Sequence, residues 1–554
     1  MRNAKCEMRN ARSWFCAFKL LVTNFDPSKS VQIVFMNVSV ATTEEPSLQN
    51  AERRTEWFGR RTLFVITLAV AAVIYSQFEF MSVPERGDRA NWDYMAQCIA
   101  RGGVPYRDVV NIKSPLSAYI GAAAIVVTRP LGLQDVIAIR SIYFILAMLT
   151  VGFTFLVTHD YFSNRLTALL AATIMLTFNS FATLNCGIQP KTVMVLFGLM
   201  SLWAIKRDCP VEAGIYGMLS ALSWQPGLLF VGAAGLAFSR YLTSWRDLKV
   251  VKLLAGAAAP LLILIVYLAL AGALKASFLW TIHFNAAVYG PREVRPISGF
   301  FYWFNQLLSR PYRQERIYFY VAAAGFLIAL GKAVWEGVRN GLRYSLDAAP
   351  RHAILIAPLV YFLFCMVDIQ GGADLIPLLP FVGVFAAAAF SMVAAGVFAL
   401  LLRLKPSMKI RPLEYAAFAA ALAAVFVFSV ADAFKFHRGF PTLKDQYEGV
   451  KELTERLEPG DTIFTHGQTE VLVLSGLTNA SKYFFLDRGK DMYLNKVEPG
   501  GYEGWFARLK AERPRVVALS RLRAVDHGND FRQWMREDYQ RYDGTVFSFY
   551  VRKD

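Results

Sequence analysis

The chain has 554 residues, of which 55% are hydrophobic and 14% aromatic. Many apolar runs approach the ~20 residues needed to cross a bilayer, so the composition excludes an ordinary soluble protein and predicts a polytopic, all-α membrane protein. The formal net charge of +17 does not indicate a nucleic-acid partner, because the basic residues lie between apolar runs, as topology signals do. The six cysteines show no paired spacing, and we expect neither a disulfide framework nor a cysteine metal site.

The first 61 residues are polar and basic, with two apolar runs that are too short to span a membrane. We expect residues 1–61 to be a disordered cytoplasmic leader, which a start at Met36 would shorten. The first predicted span, from about Thr62 to Met81, follows the basic residues Arg60 and Arg61. Because basic flanks stay cytoplasmic, the next segment is predicted to emerge on the outer side.

That segment, 86–117, reads RGDRANWDYMAQCIARGGVPYRDVVNIKSPLS and belongs to a first outer loop, 82–133. Helical spacing predicts an amphipathic helix that lies in the membrane interface, apolar side toward lipid, with Asp93 on its polar side. Its apolar face comprises Trp92, Met95, Ala96 and Ile99. Two glycines end the helix. A turn-rich piece then carries Tyr106, Arg107, Asp108 and Lys113.

Ten further apolar segments are predicted to span the membrane, so that 62–435 forms a transmembrane domain with about eleven spans. They lie near 134–158, 164–183, 191–206, 212–224, 226–243, 250–273, 317–335, 352–368, 375–402 and 411–433. The segment 116–132 is also apolar but short. If it were a span, the basic loop 403–411 would lie on the outer side, whereas basic loops tend to stay cytoplasmic. We therefore predict that 116–132 is a juxtamembrane helix on the outer face.

Polar and charged residues at the predicted outer ends of the spans are candidates for a site. Lys191 begins one span, and Gln225 lies in the SWQPG break between two others. A long outer loop, 274–316, carries Arg292 and Arg295, which suit an anionic partner such as a lipid phosphate. The alternative for the loop is that long loops are translocated across the membrane regardless of their charge. The alternative for the polar residues is that they cap helices or anchor the protein at the lipid headgroups.

The composition changes after residue 435, where charged residues become frequent and 436–554 is predicted to be a small soluble α/β domain on the outer side. Its predicted strands are DTIFTHG, EVLVLSGL, RVVALSR and TVFSFYVR. Its predicted helices are LKDQYEGVKELTERLEP, GYEGWFARLKAER and DFRQWMREDY.

The first loop resembles that of membrane glycosyltransferases of the C superfamily. The resemblance is carried by Asp88, Tyr94, Ala96 and Gln97, then by GGVPYRD (102–108) and KSPL (113–116). It is greatest to the bacterial protein mannosyltransferase and lipid A aminoarabinose transferase group. With the order of spans and the C-terminal domain, the likeness covers nearly all of residues 60–554.

The resemblance implies transfer of a sugar from a polyprenyl-phosphate donor to a lipid, polysaccharide or protein acceptor, at the periplasmic face of a bacterial inner membrane. It assigns the catalytic acid to Asp88 and the lysine of the family's KPPL motif to Lys113. The chain departs from the family at Arg89, where a glutamate is usual, and at LNCGIQPKT (184–192), where a carboxylate is common. A metal site that needs two acidic motifs is therefore unsupported. A divalent metal stays an open alternative, and no other cofactor is predicted.

The chemistry requires a base for the acceptor hydroxyl, and we predict Asp88 in that role, with a pKa raised by partial desolvation. Its alternative role is to cap the following helix, and Asp93 is the second candidate for the base. The leaving lipid phosphate requires cations, for which Lys113, Arg107 and Lys191 are predicted. Asp108 would orient a cation or stabilise the turn. Two other functions stay open at this point: a flippase for lipid-linked sugars, and a non-catalytic subunit of cell-envelope assembly.

Overall fold

A computed structural model describes residues 61–73, 75, 82–240, 248–290, 297–310, 312–313, 315–408, 410–433 and 441–553. The predicted leader up to residue 60, most of the second half of the first predicted span, and Arg292 and Arg295 lie outside the described residues.

The described residues before 434 form a helical bundle, here called the membrane unit. Its α-helices, in chain order, are α1 (Arg61–Val73), α2 (Gly87–Ala100), α3 (Leu116–Thr128), α4 (Asp135–Phe162), α5 (Arg165–Leu176), α6 (Asn179–Leu184), α7 (Pro190–Lys206), α8 (Pro210–Ser223), α9 (Leu228–Phe238), α10 (Lys249–Leu270), α11 (Leu274–Phe278), α12 (Ile297–Ser309), α13 (Arg316–Gly341), α14 (Tyr344–Val367), α15 (Leu379–Leu404) and α16 (Ile410–Ala433).

Five helical stretches of the described chain are long and apolar enough to cross a membrane: α4, α10, α13, α14 and Gly372–Leu404. The last joins a 3-10 helix, Gly372–Leu378, to α15. The chain is therefore a multi-pass, mostly helical membrane protein, and the total of eleven spans stays a prediction. The segment 116–132 forms a short helix, α3, that continues into one 3-10 turn.

Two glycines allow the backbones of α8 and α10 to approach each other closely. A Cβ added to Gly214 in α8 would lie 2.1 Å from the carbonyl oxygen of Leu253 in α10. In return, a Cβ on Gly256 would lie 2.2 Å from the carbonyl oxygen of Val211. Small residues permit this close approach, as is common between membrane helices.

The described residues of the predicted outer loop 274–316 are largely helical. Two π-helical turns, Leu279–His283 and Asn285–Tyr289, follow α11. Trp280 and Phe284 are buried in a cluster that includes aromatic residues of the C-terminal domain. Burial of these side chains ties the segment to the rest of the protein and explains its regular structure.

Residues 441–553 form the C-terminal domain, which is the α/β unit that the sequence indicates. Its elements are α17 (Leu443–Thr454), β1 (Ile463–His466), α18 (Thr469–Ser475), α19 (Lys490–Val497), α20 (Gly501–Ala511), β2 (Val516–Leu519), α21 (Gly528–Asp538), β3 (Tyr539–Asp543) and β4 (Ser548–Arg552). The sheet order is β1-β2-β4-β3, with β1 and β2 parallel and the remaining pairs antiparallel.

One predicted strand of this domain is a helix. The run EVLVLSGL lies mostly in α18, whose apolar residues are all buried. A short, continuously apolar run does not reveal its period, because both strand and buried helix satisfy it. β3 was not predicted either, since its residues follow the amphipathic pattern of α21.

Helix α2 lies between the rest of the membrane unit and the C-terminal domain. The prediction that its apolar side faces lipid is wrong, because Trp92, Met95 and Ala96 are buried in the protein. The Gln97 amide donates to the carbonyl oxygen of Val473 at 3.0 Å, and the Thr469 hydroxyl donates to Asn91 at 2.6 Å. Asp93 is fully buried. The polar side of α2 is therefore the surface on which α18 packs.

Candidate functional site

An open cavity lies where the start of α2 meets the C-terminal domain. Its free space is about 630 Å³, part of which is continuous with solvent. The membrane unit contributes Asp88, Asn91, Trp92, Val110, Asn111, Ile112, Lys113, Tyr289 and Gln370, and the C-terminal domain contributes Phe484, Phe485, Asp487, Arg488, Lys490 and Arg521. Among the described residues, two carboxylates and four cations thus face one space that both units enclose.

Asp88 stands in the first turn of α2, where the helix dipole favours a negative charge. The helix begins at Gly87 and its N-cap is Arg86, so Asp88 is not the cap that we considered as its alternative role. Protein atoms surround the carboxylate closely, yet the residue is exposed, because its free surface faces the cavity. Among the described residues, it makes no hydrogen bond or ion pair within ordinary distance.

The cations around the cavity hold the pKa of the Asp88 carboxyl below its usual range. The ammonium of Lys113 has the largest effect; burial opposes it, and Lys191, Lys490 and Arg488 add to it. The expectation of a raised pKa is therefore wrong, because the positive charges outweigh the desolvation. The lowered pKa keeps the Asp88 carboxyl ionised at neutral pH.

Lys113 lies on a loop that one buried and two partly buried side chains hold in place. The Tyr106 hydroxyl donates to the carbonyl oxygen of Lys113 at 2.8 Å, and Tyr106 itself has a φ of 68°. The amides of Gln225 and Asn285 donate to the carbonyl oxygen of Ile112 at 3.1 and 2.7 Å. Burial lowers the pKa of the Lys113 ammonium, and Asp88 opposes this effect.

Lys191 stands at the start of α7, beside the cavity but outside its lining. Its ammonium forms an ion pair of 2.5 Å with Asp374 and lies 4.6 Å from the centre of the Trp224 ring. The Asp374 carboxylate also accepts the backbone N–H groups of Gln370 and Gly371 at 2.7 and 2.8 Å. Lys191 is thus a fixed cation within electrostatic reach of Asp88.

The other predicted residues that the structure describes do not line the cavity. Tyr106 is buried, and Gln225 holds the loop before Lys113. Arg107 forms an exposed ion pair of 2.8 Å with Asp108 and donates to the carbonyl oxygen of Ala271 at 2.9 Å. Asp108 accepts from the backbone N–H of Val104 at 2.8 Å, which stabilises the turn.

Asp93 faces away from the cavity into a buried polar network. Its carboxylate accepts the backbone N–H of Ile188 at 3.0 Å, and burial, together with Glu85, raises its pKa well above the usual range. Arg292 and Arg295 lie outside the described residues.

Arg89, the departure from the family pattern, belongs to the same network. It forms an ion pair of 3.1 Å with Glu85, which pairs at 3.1 Å with Arg140 of α4, and the Glu85 and Arg140 side chains are fully buried. Gln446 of α17 completes the junction by bonding to both backbone groups of Glu85. Arg89 therefore stabilises the joint between α2, α4 and the C-terminal domain.

The sequence did not identify the contribution of the C-terminal domain. Arg488, Lys490 and Arg521 bring three cations to the cavity, and Asp487 pairs with Lys490 at 2.7 Å. The only available signal was the charged turn DRGK directly after the apolar run YFFL. In the described part of the chain, no three histidine, cysteine, aspartate or glutamate side chains lie close enough together to hold a metal ion.

The helical bundle, the loop and helix α2, and the C-terminal domain together form a fold that is also found in solved structures. Among solved structures, the chain is similar to ArnT from Cupriavidus metallidurans bound to undecaprenyl phosphate, with a TM-score of 0.56 and 14% identity, over 88% of this chain and 97% of ArnT. It is also similar to the oligosaccharyltransferase AglB from Archaeoglobus fulgidus in complex with an inhibitory peptide and a dolichol-phosphate. That match has a TM-score of 0.52 and 13% identity, over 90% of this chain and 75% of AglB.

No protein-family model matches the chain, and no curated protein matches it.

Proposed function

We propose that the chain is a glycosyltransferase that moves a sugar from a polyprenyl-phosphate donor to a lipid, polysaccharide or protein acceptor. The reaction would invert the anomeric centre and take place at the periplasmic face of a bacterial inner membrane. The observation that carries the proposal is the Asp88 carboxylate, which faces the cavity without a hydrogen-bond partner among the described residues, while Lys113 and Lys191 lie within electrostatic reach. A base beside cations suits a reaction that releases a phosphate.

In this reaction, the acceptor hydroxyl oxygen forms a bond to the anomeric carbon while the bond from that carbon to the donor phosphate oxygen breaks. Asp88 accepts the hydroxyl proton as the ring develops oxocarbenium character. The polyprenyl phosphate leaves with the bonding electron pair. Lys113 and Lys191 stabilise the charge that develops on it, as point charges that need no fixed angle.

The low pKa of Asp88 is compatible with a base because the cations that cause it also bind the donor. When a phosphate neutralises Lys113 and Lys191, their effect on Asp88 weakens and its pKa rises. The carboxylate would therefore become a better proton acceptor once the donor is in place. Tyr106, Gln225 and Asp108 support this chemistry by fixing the loop that carries Lys113.

The replacement Asp88→Asn tests the proposal because it keeps the size of the side chain and removes the base. In proteoliposomes supplied with polyprenyl-phosphate sugars from the native host, transfer should fall by roughly 10²- to 10⁴-fold, while binding of the lipid phosphate persists. The control is Asp543→Asn, whose side chain is 65% exposed in the C-terminal domain. Unchanged transfer in Asp88→Asn would remove the base from the mechanism, and labelling of 86–117 from the cytosol would overturn the orientation.

A further inference from the structure

We propose that Arg488 and Lys490 of the C-terminal domain are part of the phosphate-binding site, so that the two units bind the leaving group together. This inference rests on the proposed function and assigns its lipid-phosphate subsite to residues from both ends of the chain. Both side chains line the cavity that Asp88 and Lys113 face.

The balance of charge in the cavity favours an anionic ligand. In the described part of its lining, four cations, namely Lys113, Arg488, Lys490 and Arg521, stand against two carboxylates. One carboxylate, Asp487, already pairs with Lys490 at 2.7 Å. Aromatic side chains form part of the remaining wall, and Lys490 lies 4.5 Å from the centre of the Phe485 ring. Cations beside an apolar surface lose part of their hydration, which costs free energy. A bound phosphate offsets this cost by forming charge-assisted hydrogen bonds with them.

Two neutral groups of the membrane unit orient the guanidinium of Arg488. It donates to the Gln370 carbonyl oxygen and to the Tyr289 hydroxyl, the latter at 3.1 Å. Its Nε lies 3.8 Å from the Asp487 carboxylate. The planar set of guanidinium donors matches the oxygens of a phosphate.

The turn that carries Arg488 is fixed by the domain beneath it. Arg488 and Gly489 both have positive φ, at 57° and 81°. The Leu486 N–H donates to His466 Nε2 at 2.9 Å, and burial lowers the pKa of His466 to about 4, which keeps the ring neutral and able to accept this bond. The backbone N–H of Arg488 donates to the carbonyl oxygen of Ala524 at 3.2 Å. The cation is therefore presented on a rigid turn.

The electrostatics agree with this geometry. Arg488 and Lys490 both contribute to the lowered pKa of Asp88, so their charges reach the position where a donor phosphate would meet the base. Lys490 also acts on Lys113, which places the cations of the two units around one region.

The test compares binding of undecaprenyl phosphate with binding of undecaprenol, which lacks the charge, to the full chain in phosphatidylcholine nanodiscs. The wild-type chain should prefer the phosphate. Arg488→Gln should lower affinity for the phosphate by roughly tenfold or more and leave affinity for undecaprenol unchanged. The control Arg541→Gln, at a side chain that is 60% exposed, should keep the preference.

The outcomes separate this inference from the proposed function. A wild-type chain without preference for the phosphate would overturn the function itself. A preference that survives in Arg488→Gln would overturn only the role of the C-terminal domain. Arg488→Lys keeps the charge and should recover part of the preference; if it behaves like Arg488→Gln, or if undecaprenol binding falls equally, Arg488 acts through domain docking and the inference fails.

Discussion

The Lys191 ammonium and the Asp374 carboxylate form a 2.5 Å ion pair that joins the start of α7 to the 3-10 helix before α15. Both side chains are largely buried, at 12% and 10% exposure. The Trp224 ring covers the ammonium, and two backbone N–H groups hold the carboxylate. The pair therefore fixes one proposed phosphate-binding cation relative to the helices around it.

Removal of the charge in Asp374→Asn should destabilise the protein, because it leaves the Lys191 ammonium buried without a counter-ion. We expect a loss of about 3 kcal/mol, seen as a lower midpoint of thermal unfolding in detergent. Asp543→Asn breaks an exposed pair with Arg541 and should cost less than about 1 kcal/mol. Equal midpoints for the two variants would show that the buried pair does not stabilise the fold.

Lys113→Met should change the dependence of transfer on pH. The ammonium of Lys113 is the largest cause of the low pKa of Asp88, so its removal raises that pKa. At low pH, kcat/KM falls because Asp88 becomes protonated and can no longer act as a base. This acid limb of the profile should move to higher pH. The maximal rate should also fall by roughly 10²-fold, since the leaving phosphate loses a cation.

The matched control is Lys444→Met, which removes a lysine that is 86% exposed and should leave the profile unchanged. A slower Lys113→Met enzyme with an unmoved acid limb would mean that Lys113 acts on the phosphate without acting on Asp88.

The membrane side of the cavity could be predicted from the sequence because its key residues are close together in the chain. Asp88 and Lys113 belong to one short segment whose turn residues and charges form a motif, and Lys191 begins an obvious apolar helix. Arg488 and Lys490 could not be predicted in this way. They meet Asp88 only after the C-terminal domain has packed on α2, and their turn, DRGK, has the composition of an ordinary surface turn.

The fold shows the same division between local and long-range information. Hydropathy located the apolar helices, but it could not tell that α2 is covered on its polar side, because the partner helix α18 lies far away in sequence. The pKa of Asp88 was predicted in the wrong direction for a related reason. The raising effect of burial on this pKa can be expected from the local sequence of an interfacial residue. Three of the four cations that outweigh this effect come from other parts of the chain.

Gly256→Ala should weaken the contact between α8 and α10. The new Cβ would lie 2.2 Å from the carbonyl oxygen of Val211, so the helices must separate, at a cost of about 1–3 kcal/mol. Gly235→Ala is the control, because a Cβ there meets nothing within 4 Å and alanine favours the helix by up to about 1 kcal/mol. Thermal unfolding in detergent should lower the midpoint only for Gly256→Ala; an unchanged midpoint would contradict the close contact.

Glu470, in the first turn of α18, should make stability depend on pH. Burial raises its pKa from 4.5 to about 7; the Glu85 carboxylate adds to this effect, and Arg521 and Arg86 oppose it. Its Oε2 atom is buried and has no hydrogen-bond partner among the described residues. The folded protein thus holds this proton more tightly than the unfolded chain does.

Stability should therefore fall as the pH rises from about 4.5 to about 7 and stay level above that range. The total change attributable to Glu470 is up to about 3 kcal/mol.

Glu470→Gln removes the ionisation, so it should raise the unfolding midpoint at pH values above about 7 and have little effect below the lower end of the range. Glu448→Gln, at a side chain that is 67% exposed, should leave the pH dependence unchanged. If Glu470→Gln also leaves it unchanged, the Glu470 carboxyl is solvated and the packing of α18 against α2 is looser than described here.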